Sequence, residues 1–170
     1  MLTVNYNNVN QSKPYVYKTW RNKIDVVGAL HQLAHVSALQ SKGSDYKPHT
    51  YYGFLAEYAL KYDLRTRGIA IQGAPKYQTG ADMGDFIYDG KLYDVKASMK
   101  YDNISITPRA DIDVDYYIGV KLKIPNARTI IIDVYGEITY NELGRADLGY
   151  CGFSMLIAPG SFKPVPKFVN

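Results

Sequence analysis

The sequence predicts an α/β fold of the α+β kind, with a mixed central β-sheet flanked by helices. Two segments, 24–40 and 50–65, carry apolar residues at helical spacing. Short apolar runs bounded by turn residues follow them, and 129–135 is a nearly continuous β-branched run, typical of a buried central strand. Helices first and strands later indicate one sheet that is covered by helices.

Each helix is predicted from its apolar stripe and its ends. Turn residues at 41–44 end the first helix, Thr50 is the expected N-cap of the second, and Gly68 closes it. A third, short helix over 139–148 begins with a capping box. The buried stripe of the first helix is expected to contain Val27, Leu30, Ala34 and Ala38.

The strands are predicted from the runs between turn signals. Asp89-Gly90 predicts a hairpin, and Pro125-Asn126 predicts a turn between two longer strands. The remaining expected strands are 69–71, 104–106, 116–124 and 129–135.

The chain is expected to form one domain. We divide it into an N-terminal arm (1–22) with at most one short strand, a single domain (23–157) and an extended C-terminal tail (158–170) that contains Pro164 and Pro166. A chain of 170 residues is long enough to bury a stable core. The arm is a candidate dimer element.

The composition limits the binding partners and the cellular compartment that we expect for the chain. A net charge of +4 is compatible with a polyanion but does not establish one. One cysteine, Cys151, excludes an intramolecular disulfide and fits a reducing compartment. No apolar run reaches the ~18 residues of a membrane span, and residues 1–11 lack the apolar core of a signal peptide. We therefore expect a cytoplasmic protein without a membrane partner.

The hairpin places two carboxylates together. Counting outward from Asp89-Gly90 brings Asp85 opposite Asp94, with Cβ atoms roughly 4.5–5.5 Å apart. Like charges in this position are destabilising, and a divalent cation between them would compensate. Lys96 points to the same face as Asp94 because side chains alternate along a strand. Two acidic ligands and a lysine on one strand face are expected to form a reaction centre for phosphodiester hydrolysis.

Asp85, followed by Asp94-Val95-Lys96, resembles the signature of the PD-(D/E)XK nuclease superfamily. The resemblance covers about 50–98. Glu57 fits the place of the acidic residue that this superfamily carries on a helix before the hairpin, whereas Gly84 stands where the motif has proline.

The resemblance implies a restriction-endonuclease-like core and a Mg²⁺-dependent DNA endonuclease, with Mn²⁺ as a substitute. It implies that Asp85, Asp94, the Val95 carbonyl and Glu57 hold the metal, directly or through water. It further implies that Lys96 orients the attacking water. A helix between the third and fourth core strands, expected from the superfamily, is hard to identify in 99–115.

Four further residues are candidate DNA contacts. Ser98 lies on the catalytic face, and Lys61, Arg65 and Arg67 follow Glu57 on the same helix. Taken alone, Glu57 could be a surface residue paired with Lys61 at the i,i+4 spacing. Asp82 is a weaker acidic candidate, and the expected role of Cys151 is packing.

Alternatives remain open at the level of the sequence. One is a catalytically inactive nuclease-like fold that binds DNA or a protein. Another is a structural domain whose carboxylates form surface pairs. The DNA structure that is cut, the choice between endonuclease and exonuclease, and a homodimer are also open. A phage or mobile-element origin is suggested only by the small size.

Overall fold

The structure is a computed structural model that describes residues 1–10, 13–18, 25–74, 84–107, 114–148 and 154–169. It confirms a mixed α+β fold. Seven strands form one mixed sheet in the order β2-β1-β8-β7-β5-β4-β3, and β6 pairs with β9 in a second sheet. The strands are β1 (Leu2–Tyr6), β2 (Tyr15–Tyr17), β3 (Gln72–Gly73), β4 (Phe86–Tyr88), β5 (Lys91–Ser98), β6 (Ile104–Ile106), β7 (Tyr116–Asn126), β8 (Thr129–Ile138) and β9 (Met155–Ile157).

Three α-helices accompany these strands: α1 (Val26–Lys42), α2 (Pro48–Thr66) and α3 (Tyr140–Ala146). The predicted stripe of α1 is buried. The predicted N-cap of α2 is wrong, because Lys47 is the N-cap and Pro48 opens the helix. Proline suits this position, since its fixed φ matches the helix and its missing N–H would have no partner there. The capping box of α3 is confirmed.

Two strand predictions differ from the structure. Residues 69–71 are not a strand, and the short strand β3 follows them instead. The turn expected at Pro125-Asn126 lies two residues later, because β7 continues to Asn126. The Asn126 side chain accepts a hydrogen bond from the Arg128 N–H (2.9 Å) and so stabilises the later turn.

The N-terminal segment contains two strands where we expected an arm with at most one. Strand β1 lies inside the sheet, parallel to β8 and antiparallel to β2. Leu2 and Val4 are fully buried in the core between the sheet and the helices. The β1 backbone is therefore paired on both sides within this chain.

The C-terminal segment also packs against the domain. Two short 3-10 helices, Pro159–Ser161 and Pro166–Phe168, replace the expected extended tail. Val165 and Phe168 join the helix-side core, and Phe162 joins a second core on the other face of the sheet. This second core also contains residues of α3, β6 and β9.

The helix that the resemblance implies between the third and fourth core strands is not found in the described part of 99–115, which is 99–107 and 114–115. Strand β6 occupies part of this region. In the described ranges, no helix combines the length and the apolar character that crossing a membrane requires.

Candidate active site

The hairpin that carries the site has the predicted register from the turn to Phe86–Tyr93, but the predicted pairing of Asp85 with Asp94 across the ladder is not formed. In the pairing of β4 with β5, Tyr88 lies opposite Lys91, Ile87 opposite Leu92, and Phe86 opposite Tyr93. Asp89 and Gly90 have φ of 49° and 70°, which is the left-handed conformation that a type I′ turn requires at both central residues. The local sequence therefore fixes the alignment of β4 and β5.

Asp85 directly precedes β4, and its side chain adds a hydrogen bond between the two arms of the hairpin. Its backbone N–H donates to the Tyr93 carbonyl (2.8 Å), and its Oδ2 accepts from the Val95 N–H (2.6 Å). The strand pairing of β4 with β5 ends at Phe86–Tyr93. The Asp85 carboxylate therefore lies against the β5 backbone, one residue from Asp94.

The electrostatics of Asp85 show which groups surround it. Burial raises the pKa of this carboxyl group well above its usual range, and the charges of Glu57 and Asp94 raise it further. The Val95 N–H and the Lys96 ammonium oppose this rise in the pKa of Asp85. The four residues predicted to be catalytic are thus close enough to interact.

Glu57 reaches the site from α2. It is only 7% exposed, and Lys61 Nζ lies 2.9 Å from Glu57 Oε1. The same ammonium group donates to the backbone carbonyl of Asp85 (3.3 Å). The i,i+4 pair with Lys61 therefore exists, but it is largely buried and it ties the helix to the beginning of β4.

Asp94 and Lys96 form the β5 side of the site. Lys96 Nζ lies 2.8 Å from Asp94 Oδ2, and the Lys96 side chain is 33% exposed. Tyr117 is the neighbour of Asp94 in the parallel pairing of β5 with β7. Burial, followed by the charge of Asp94, raises the pKa of Tyr117 to about 12. We did not predict Tyr117, because no local signal in the sequence reveals which strand lies beside β5.

The predicted DNA contacts lie in different environments. Arg65 is exposed, whereas Lys61 lies inside the site. The Ser98 hydroxyl donates to the Tyr101 carbonyl (2.6 Å) and accepts from the Tyr101 N–H (3.2 Å), so it stabilises the turn after β5.

Arg67 requires a correction. Its guanidinium donates to Asp63 Oδ2 (2.7 Å) and to the Tyr6 hydroxyl (2.8 Å), and it lies 4.2 Å from the centre of the Tyr15 ring. These contacts hold the end of α2 against β1 and β2. We therefore assign Arg67 to the structure and not to DNA binding. Two further residues considered in the sequence, Asp82 and Cys151, lie outside the described residues.

The donor set suits a hard cation, although the arrangement differs from a preformed metal site. Three carboxylates lie beside two lysines. Burial raises the pKa of Asp85 most, and the repulsion by Glu57 and Asp94 that adds to it is what a divalent cation would relieve. Glu57 and Asp94 are each paired with a lysine instead. In the ranges that the structure describes, no three His, Cys, Asp or Glu residues are grouped as metal ligands. Binding would therefore require at least one ammonium group to move.

Comparisons of the chain with protein-family models, with curated protein sequences and with solved structures give no match.

Proposed function

We propose that the chain is a metal-dependent DNA endonuclease of the PD-(D/E)XK type. The observation that carries this proposal is the grouping of the predicted residues. Asp85 Oδ2 accepts from the Val95 N–H beside Asp94, and Lys61 joins Glu57 to the Asp85 carbonyl. The raised pKa of Asp85, which results from burial and from the charges of Glu57 and Asp94, supports it. Folding alone would avoid three carboxylates at one partly buried place. A cluster of perturbed carboxylates with adjacent lysines is instead typical of a catalytic centre.

The proposed roles follow from the position of each group. Asp85 and Asp94 would hold Mg²⁺ or Mn²⁺, with the Val95 carbonyl beside them and Glu57 binding directly or through water. The cation would supply positive charge at the scissile phosphate and a bound water of lowered pKa. Lys96 is the more exposed of the two lysines, so it would orient the water and balance charge on the phosphate.

The proposal is tested by incubating the protein with supercoiled, linear and branched DNA, with Mg²⁺ and with EDTA. We expect cleavage only with the metal, and we expect Asp94→Asn to abolish it. Asp89→Asn is the matched control, because the same chemical change is made at an exposed turn residue whose positive φ asparagine tolerates. Cleavage by Asp94→Asn at the wild-type rate would remove Asp94 from the site.

Metal binding has a second readout in thermal stability. A ligand at a hundredfold excess over its Kd stabilises the folded state by about 2.7 kcal/mol. For a chain of this size, that corresponds to a rise in Tm of about 5–11 °C. Mn²⁺ should therefore raise the Tm of the wild type and of Asp89→Asn but not of Asp85→Ala. An equal rise in Asp85→Ala would place the metal elsewhere.

One observation favours a second candidate, an inactive nuclease-like fold that binds DNA or a protein. Lys61 and Lys96 already neutralise Glu57 and Asp94 without a metal. This candidate predicts no cleavage and no rise in Tm with Mn²⁺ in the wild type.

A further inference from the structure

Two aromatic rings are exposed on the described surface. Among the exposed large apolar side chains of the described residues, only Tyr101 (64% exposed) and Tyr140 (53% exposed) are aromatic. Elsewhere in these residues the tyrosine rings are buried or half-buried. Both exposed rings border the face of β5 that carries Asp94.

Tyr101 lies at the end of β5. Ser98 shares a face of this strand with Asp94, and both hydrogen bonds of its hydroxyl go to the Tyr101 backbone. Asp102 Oδ1 lies 3.1 Å from Lys121 Nζ, and Lys121 is the β7 neighbour of Ser98. The turn that carries Tyr101 therefore folds toward the face of the sheet that contains Asp94.

Tyr140 lies toward the opposite end of this face. It opens α3 and follows Ile138 of β8, which pairs with Tyr117. Tyr117 is in turn the β7 neighbour of Asp94. Besides burial, the charges of both Asp94 and Tyr140 raise the pKa of Tyr117, so both groups lie near it.

Positive charge accompanies the rings. Lys100 Nζ lies 5.2 Å from the centre of the Tyr101 ring. Lys100 is exposed, so its ammonium can contact an external anion. Lys96 lies between the two rings along β5 and is one-third exposed. Exposed rings next to lysines are the combination that binds single strands, because bases stack on the rings and phosphates contact the ammonium groups.

We infer that the site takes single-stranded DNA, or the unpaired part of a branched DNA, with bases stacked on Tyr101 and Tyr140. This inference rests on the proposed function for the choice of DNA. Bases inside a duplex are already stacked on one another, so a duplex offers no free face to either ring except at its ends. Phosphates near β5 would then contact Lys100 and Lys96, which places the strand beside Asp94.

The test measures binding without cleavage, by fluorescence anisotropy in EDTA with a labelled single strand and the matching duplex. We expect the single strand to bind at least about tenfold more tightly than the duplex, and Tyr101→Ala or Tyr140→Ala to weaken it at least about fivefold. The phenylalanine variants should retain the affinity, because the ring is kept. Leu33→Ala removes an equally exposed apolar side chain on α1 and should change nothing.

Equal or tighter binding of the duplex would overturn the inference, as would alanine variants that bind the single strand like the wild type. Tighter binding of RNA of the same sequence would overturn the assignment to DNA. Cleavage assays in Mg²⁺ separate this inference from the proposed function. If no DNA is cut while single-strand binding still depends on both rings, the nuclease proposal fails and this inference stands. If the duplex is cut, and the ring variants cut and bind DNA like the wild type, the nuclease proposal stands and this inference fails.

Discussion

Repulsion between carboxylates leads to a stability prediction for Asp94→Asn in the absence of metal. Asp85 Oδ2 lies on the N–H of Val95, the residue after Asp94, and two unit charges roughly 5–7 Å apart repel by about 2–3 kcal/mol at an effective dielectric constant of about 20. Asparagine removes this repulsion with Asp85 but also removes the partly exposed ion pair with Lys96, which is worth about 0–1 kcal/mol. The variant should therefore gain about 2 kcal/mol at neutral pH, which corresponds to a rise in Tm of about 4–8 °C.

The stability gain of Asp94→Asn should depend on pH, and the direction of this dependence follows from the pKa of Asp85. Burial, Glu57 and Asp94 raise the pKa of Asp85 in the folded protein above the unfolded value of about 3.9. The folded state therefore holds this proton more tightly, and the wild type loses stability as the pH rises from about 4 through the folded pKa. Below about pH 4, both states are protonated at Asp85, so the advantage of Asp94→Asn should disappear.

Thermal unfolding followed by circular dichroism in EDTA at pH 4 and pH 8 measures both effects. Asp89→Asn, in the exposed turn, should melt with the wild type at each pH. If Asp94→Asn melts below the wild type at pH 8, or gains equally at both values of pH, then Asp94 does not raise the energy of the Asp85 carboxylate and the reasoning is refuted.

Two further predictions concern catalysis and folding. Lys96→Ala should lose most DNA cleavage but keep its affinity for Mn²⁺ in titration calorimetry, because an ammonium group is not a metal ligand; loss of both, with Lys91→Ala unaffected, would assign Lys96 a different role. Asp63→Asn should lower the free energy of unfolding in urea by about 3–5 kcal/mol, because it leaves Arg67 without its buried partner. The exposed Asp45→Asn is its control, and a loss equal to that of the control would show that this pair does not stabilise the fold.

The register of the hairpin could be predicted because it depends only on residues close together in the sequence. Asp89-Gly90 specifies the turn, and the turn specifies every pair up to Phe86–Tyr93. A slip of one residue would have moved each side chain to the other face, so the confirmed register is what brings Asp85 to the β5 backbone beside Asp94.

Contacts between distant elements could not be predicted in this way. Periodicity placed Glu57 at the edge of the apolar stripe of α2, but it could not show that Lys61 joins Glu57 to the Asp85 carbonyl. The position of Tyr117 next to Asp94 requires knowledge that β5 pairs in parallel with β7. Such pairings depend on the packing of the whole sheet.

The packing of the two terminal segments differs from the prediction for two different reasons. Leu2, Val4 and Tyr6 alternate with polar residues, which is a strand signal, but the following polar stretch obscured it. At the other end, Pro164 and Pro166 exclude a regular helix but do not prevent burial. Phe168 contacts Tyr88 and Tyr93 from the helix side, so the tail packs behind the hairpin.

The N-terminal strands consequently support the candidate site. The fully buried Asp63 accepts hydrogen bonds from the hydroxyl groups of Tyr6 in β1 and Tyr17 in β2, both at 2.7 Å. Arg67 completes this network, so the last turns of α2 are fixed against the sheet. A helix is rigid over six residues, and fixing Asp63 therefore fixes the rotation that brings Glu57 to Asp85. Detaching the first strand should move Glu57 even though no residue of that strand lies in the site.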